Sequence, residues 1–202
     1  IMEWYESLVE KIGVPFEALY VNTRFGRTHM LAAGPKEAPA LFLISGVAGC
    51  APRWRKQLES LSANFRVYAL DIPGQPGRSD PNPPSFLNDD YCDWLVHVLD
   101  VLGIERAHVA GISAGALIAM RFGSLHPGRV RKVVMLGPTG ISSARLPVKI
   151  WLGRVAQKWK NADVLQDDLT AKSVSSKSPG GTFGTFDRQL ARAMALCTRH
   201  YR

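Results

Sequence analysis

Residues 107–127 read Ala-His-Val-Ala-Gly-Ile-Ser-Ala-Gly-Ala-Leu-Ile-Ala-Met-Arg-Phe-Gly-Ser-Leu-His-Pro, and this stretch decides the fold. A short apolar run, Ala107 to Ile112, meets a small-residue helix pattern, Ala114 to Leu125, with Ser113 at the junction. Gly111-Ile112-Ser113-Ala114-Gly115 fits G-x-S-x-G, the signature of a nucleophile elbow. A sharp strand-to-helix turn strains the serine backbone, and small neighbours at Gly111 and Gly115 let the adjacent chain pass. Such a turn lifts Ser113 Oγ clear of a sheet and sets it at a helix N-terminus, where the dipole favours developing negative charge. The plainer alternative is a Gly/Ser-rich turn of another α/β fold.

The 202 residues suffice for one α/β domain with an appendage and a buried core. A hydrophobic fraction of 46% and a charged fraction of 21% are those of an ordinary globular chain. No apolar run approaches the ~20 residues of a membrane span, so stable membrane insertion is not expected. The first residues, Ile1 to Glu6, lack the basic and apolar regions of a secretory signal. Three widely spaced cysteines (Cys50, Cys92, Cys197) form neither a disulfide framework nor a metal-ligand cluster. A reducing compartment, the cytoplasm, is therefore expected, with no metal and no cofactor.

The net charge of +8 is uneven. Residues 1–140 hold 14 Lys+Arg against 13 Asp+Glu, and residues 141–202 hold 11 against 4. A basic tail can attract nucleic acid, acidic membranes or anionic substrates. No nucleic-acid motif accompanies it, so solvated helix faces are the expectation and nucleic acid is not an expected partner.

Hydrophobic spacing predicts a short helix over 2–12, then strands over 16–22 and 27–33 joined by the turn Arg24-Phe25-Gly26. Ala40 to Ile44 is continuously apolar, as in a strand buried on both faces. A helix over about 53–63, a strand over 65–72, a helix over about 89–102, the elbow unit and a strand over 132–136 follow. The alternation predicts a doubly wound, mainly parallel sheet of about six strands, with the first hairpin antiparallel. From residue 141 only helical periods appear, at Val148, Trp151, Leu152, Val155 and Trp159, and again at Phe183, Phe186, Leu190, Met194 and Cys197. Residues 1–140 thus read as a core and 141–202 as a helical segment.

Across roughly residues 15–140 the chain resembles the α/β-hydrolase superfamily. Four features stand in that family's order: Leu41–Ile44 leading into Ser45-Gly46-Val47, where many members have His-Gly-x; Asp71-Ile72-Pro73-Gly74-Gln75-Pro76-Gly77-Arg78-Ser79, similar to D-x-P-G-x-G-x-S with one extra residue; the elbow at Ser113; and Val133–Pro138. The resemblance implies that Ser113 is the nucleophile of an esterase or acyl hydrolase. It implies an oxyanion hole built from the backbone N–H groups of Val47 and Ala114. Residues 147–160 and 183–198 look like the start of the family's helical cap. Ser45 in place of the histidine leaves open what supports the oxyanion loop.

A serine hydroxyl needs a base, and the base an orienting acid. In this superfamily both follow the serine, each after its own later strand. Asp187 and His200 have that order, but only one helical stretch separates them, too short for a strand and its crossover. His29, His97, His108 and His126 read as partly exposed polar residues away from the catalytic edge, and Cys50 as a packed small residue. Two further βα units need on the order of 60 residues. The 202 residues are therefore expected to be a piece of a longer hydrolase, inactive alone. Residues 133–136 would then form an open sheet edge prone to self-association. The expected substrate is a small ester, apolar-leaning if Trp151, Trp159, Phe183 and Phe186 roof the site. Core packing accounts for those aromatics equally well. C–C hydrolase, peroxidase and aminopeptidase chemistries remain open, whereas dehalogenase and epoxide-hydrolase chemistries would need an Asp at Ser113. The alternative is a non-catalytic binding or regulatory protein on the same scaffold.

Overall fold

The computed structural model describes residues 2–138. Helix α1 (Met2–Val9) precedes the hairpin β1 (Glu17–Thr23) and β2 (Gly26–Ala33), closed by Arg24-Phe25. Strand β3 (Ala40–Ile44) runs into a loop, a 3₁₀ turn (Ala51–Trp54) and α2 (Arg55–Leu61). Then come β4 (Arg66–Leu70), α3 (Asp90–Val101), β5 (Ala107–Ile112), α4 (Ala114–Leu125), a second 3₁₀ turn (Pro127–Arg129) and β6 (Val130–Leu136). The proposed cap stretches, residues 147–160 and 183–198, lie outside the described residues.

Among the described residues the strands form one sheet in the order β1-β2-β4-β3-β5-β6. The expected antiparallel hairpin is present, and β2 also pairs antiparallel with β4. The pairs β3–β4, β3–β5 and β5–β6 are parallel. The doubly wound arrangement expected from the alternation of elements is thus what forms. Physical reasons for the elements are local. In β3 every residue is buried, with Phe42 and Ile44 facing one cluster and Leu41 and Leu43 the other, as the two-residue pleat period requires. On the first face, Trp94, Leu95, Val98 and Leu99 of α3 and Ile118, Ala119 and Phe122 of α4 cover the sheet. On the second, Trp54 and Leu58 do so, and Tyr5, Leu8 and Cys50 form a third cluster with Val9 packed against it.

Boundaries shift where local chemistry intervenes. The helix expected from residue 53 begins as a 3₁₀ turn because Pro52 stands in its first turn, and only at Arg55 does α-geometry start. The first helix stops at Val9, well short of residue 12. Strand β6 begins at Val130, two residues earlier than apolar periodicity suggested, since Val130 pairs with Ala107. Among the described residues β6 ends the sheet, and Val134, Met135 and Leu136 are 49%, 43% and 45% exposed.

The order of winding fixes where a site can lie. From β3 the chain moves outward to β4, then returns to the other side of β3 to lay down β5. Open α/β sheets hold ligands in the crevice beyond the carboxyl ends of strands at such a switch point. Here that crevice is bounded by the segment after β3 and by Ser113 after β5.

Burial pushes the Cys92 thiol up to about 11, against a smaller lowering by Arg121. At pH 8 only about one thiol in a thousand would then be thiolate. Iodoacetamide at pH 8 is expected to leave Cys92 unmodified in the native protein and to alkylate it once guanidinium unfolds the chain, read by residue-resolved mass spectrometry.

Candidate functional site

Ser113 lies between β5 and α4 at φ 55° and ψ −117°, a left-handed backbone that L side chains rarely adopt. Such a conformation stores on the order of 1–3 kcal/mol and persists only when its surroundings enforce it. Two contacts do so. A methyl at Gly115 would stand 2.2 Å from the Ile44 carbonyl oxygen and 2.5 Å from that of Ser45, so α4 crosses directly over the end of β3. A methyl at Gly111 would meet the Gly115 carbonyl oxygen at 2.1 Å. Backbone lies against backbone, and the serine takes up the bend. Its N–H donates to the Leu136 carbonyl at 3.0 Å, and its carbonyl accepts from Ala116 N–H at 3.1 Å, starting the helix.

The loop after β3 runs beside it. A methyl on Gly46 would lie 3.0 Å from Ser113 Cβ and 3.6 Å from Ser113 Oγ. The stretch Gly46–Gly49 is a tight turn closed by Gly49 N–H to the Gly46 carbonyl at 3.0 Å, with Val47 61% exposed at its tip. Ala48 has φ 59°, the second positive-φ non-glycine among the described residues. Its N–H donates to Gln75 Oε1 at 2.8 Å. Ser45, standing where many members of the resembled family have histidine, is buried; its hydroxyl accepts from Trp54 Nε1 at 2.8 Å and donates to the Cys50 carbonyl at 3.4 Å. A hydroxyl of this size ties both ends of the loop together.

Behind the loop, fully buried Asp71 gathers four donors. Oδ1 accepts from Ala51 N–H at 2.6 Å, and Oδ2 from Tyr5 Oη at 2.8 Å, His29 Nδ1 at 2.8 Å and Arg78 N–H at 3.0 Å. A carboxylate only accepts, so His29 carries its proton on Nδ1, and its Nε2 is buried without a hydrogen-bond partner. Burial first, then the charge and hydrogen bond of Asp71, push the Tyr5 phenol far above its ordinary value, so it stays a donor. Arg78 reaches from the same loop to Glu6 of α1 at 2.6 Å.

His29 therefore corrects one expectation. It is not partly exposed but sealed, because β2 is covered on both faces and Asp71 needs its proton. His29 and Asp71 look like the oriented base of a triad, yet β2 stands three strands from β5, about 14 Å at the usual spacing. His97, His108 and His126 are partly exposed, as expected. His108 sits five residues before Ser113, about 16 Å along an extended chain, and His126 at the far end of α4. Burial, followed by Arg131 and Lys132, lowers the His108 pKa. Neither His108 nor His126 reaches the serine, and His97 lies against the hairpin turn, accepting from Arg24 N–H at 3.4 Å. Cys50 is buried against Tyr5 and Leu8, as a packed residue would be. The structure thus brings together Ser113, Ala114, Gly111 and Gly115 with the Gly46–Gly49 turn carrying Val47. Asp187 and His200 lie outside the described residues.

Sequence reasoning assigned no role to Gln75, Tyr5 or Asp71. The signal for Asp71 was present: a lone carboxylate closing an apolar strand run, which burial obliges to find donors. Tyr5 and Gln75 act through contacts 66 and 27 residues apart, which no local pattern encodes.

A sequence model described as the alpha/beta hydrolase fold matches residues 39–173. Carboxylesterase YbfK of Bacillus subtilis (strain 168) is 37% identical over 134 residues, which cover 66% of this chain and 45% of that protein. Among solved structures, carboxylesterase CesB (YbfK) from Bacillus subtilis superposes with a TM-score of 0.65 at 36% identity, over 68% of this chain and 48% of the other. Naproxen esterase (carboxylesterase NP) from Bacillus subtilis gives 0.64 at 36% identity, again over 68% and 48%. The chain spans about half the length of the curated relatives it matches.

Gly115→Ala is expected to lower unfolding stability by at least about 2 kcal/mol, because backbone must move to admit the methyl; denaturant titration followed by circular dichroism reads it. Asp71→Ala leaves buried donors from α1, β2 and the 3₁₀ turn without an acceptor and is expected to cost about 3–5 kcal/mol in the same assay.

Proposed function

The chain belongs to the α/β-hydrolase fold family, and from that premise we propose that it carries the nucleophile and oxyanion donors of a carboxylesterase-like serine hydrolase. The observation that carries this reading is Ser113 itself. A residue with a Cβ is forced to positive φ at a strand–helix junction, with its hydroxyl beside the turn that follows β3.

In the proposed reaction Ser113 Oγ attacks the carbonyl carbon of a small ester and a base removes the hydroxyl proton. The carbonyl oxygen, gaining negative charge, accepts hydrogen bonds from the N–H groups of Ala114 and Val47. Ala114 is the first residue of α4, so the helix dipole adds to its own N–H. Collapse of the tetrahedral species expels the alcohol and leaves an acyl-serine, which water hydrolyses by the reverse sequence of proton transfers. Preorganised donors of this kind contribute about 10²–10³ in rate each, since they are aimed before charge develops. The reading assigns the base and its acid to no described residue. Residues 1–140 are the proposed core and 141–202 the proposed cap segment.

An apolar-leaning small ester is the proposed substrate. Exposed Val47 and Ile112 border the serine and its neighbouring turn with apolar side chains, and the similar proteins named above are carboxylesterases.

With p-nitrophenyl butyrate and the intact protein, Ser113→Ala is expected to reduce kcat by at least about 10³-fold with little change in stability. An intact protein that hydrolyses no ester, or whose rate survives the substitution, favours the non-catalytic binding protein instead.

A further inference from the structure

The Gly46–Gly49 turn carries a positive φ at a residue with a Cβ. A hydrogen-bonded turn with positive φ only at its third residue is of the type that favours glycine there, and this chain has Ala48 at φ 59°. Its Cβ disfavours that region, so the turn needs an outside partner to keep its central peptide, between Val47 and Ala48, in one orientation. That peptide's donor is the Ala48 N–H, and the acceptor is Gln75 Oε1 at 2.8 Å.

Gln75 is presented from a loop braced independently of the turn. Its own N–H donates to the Ile72 carbonyl at 3.0 Å, and Gly74 N–H to the Asp80 carbonyl at 3.0 Å. Ser79 Oγ donates to the Asp71 carbonyl at 2.6 Å, and Arg78 N–H to the Asp71 carboxylate at 3.0 Å. The turn likewise closes by its own bond from Gly49 to Gly46. The amide of Gln75 is thus a bridge between two separately closed loops, one of which lies beside Ser113.

We propose that Gln75 is a positioning residue: its side-chain carbonyl fixes the central peptide of the Gly46–Gly49 turn and thereby the N–H of Val47 toward the substrate oxygen. The assignment rests on the reading of Ser113 as the nucleophile. Without the acceptor, Ala48 relaxes toward right-handed backbone, the turn samples more than one orientation, and the transition state loses an aimed donor while ground-state binding of the ester changes little.

The test uses the intact protein and p-nitrophenyl butyrate, with Gln75→Met replacing the amide by a chain of similar length. The assignment expects kcat to fall roughly 10- to 100-fold with KM within about threefold. It also expects faster hydrogen exchange at the Ala48 amide at an unchanged melting temperature. Adding Ala48→Gly, which adopts positive φ without the Cβ penalty, is expected to restore most of kcat. A Gln75→Met rate within twofold of wild type overturns the assignment, as does a loss that Ala48→Gly leaves untouched. Should Gln75→Met fail to fold, Gln75→Asn, which withdraws the amide by one methylene, carries the same readouts. A wild-type protein without esterase activity sinks the reading of Ser113 and this assignment together, whereas an active wild type matched by Gln75→Met sinks this assignment alone.

Discussion

The close crossing of α4 over the end of β3 governs the rest of the site. Gly115 sets its Cα where a methyl would overlap two carbonyl oxygens of the β3 terminus, and Gly111 does the same against Gly115. Interiors are packed too densely to absorb such overlap, so the chain between β5 and α4 must turn within one residue. That residue is Ser113, and its left-handed backbone is the consequence. Packing of Ile118, Ala119 and Phe122 into the core holds the helix down and maintains the bend.

A second set of constraints keeps the neighbouring loops in place. Asp71 satisfies itself with donors from α1, β2, the first 3₁₀ turn and its own loop, so three segments distant in sequence are tied to that loop through one carboxylate. Burying a charge is tolerated only with such a complete set of partners. The Gly46–Gly49 turn is then held from two sides, by Ser45 between Trp54 and the Cys50 carbonyl, and by Gln75 at Ala48. Both positive-φ non-glycine residues of the described chain therefore lie in the two segments that bound the switch-point crevice. Strain concentrated there and compensated elsewhere is the pattern expected of a functional site.

Much of this was legible in the residues. The uninterrupted apolar run Ala40 to Ile44 announced a strand covered on both faces, and its bounds agree with those observed. The G-x-S-x-G stretch marked a strand–turn–helix unit because its glycines have a steric purpose that sequence spacing preserves. The elements that bind by contact were not legible. His29 looked like a polar residue of a hairpin, and only the sheet order, with β4 laid against β2, shows why it is buried beside Asp71. Ser45 likewise stands in sequence only as a replacement for the family's histidine, and the indole of Trp54, nine residues on, which donates to it, gives it its role. Periodicity reports which face of an element is buried, but it does not report which distant polar group waits there.

Ser113, held by steric crowding at a strand–helix junction, has the proposed role of nucleophile. Treating the intact protein with a fluorophosphonate and mapping the adduct by peptide mass spectrometry addresses this directly. A single phosphonyl group on Ser113, absent after denaturation before treatment, is the predicted result. An unlabelled Ser113, or an adduct carried by another residue, would contradict it.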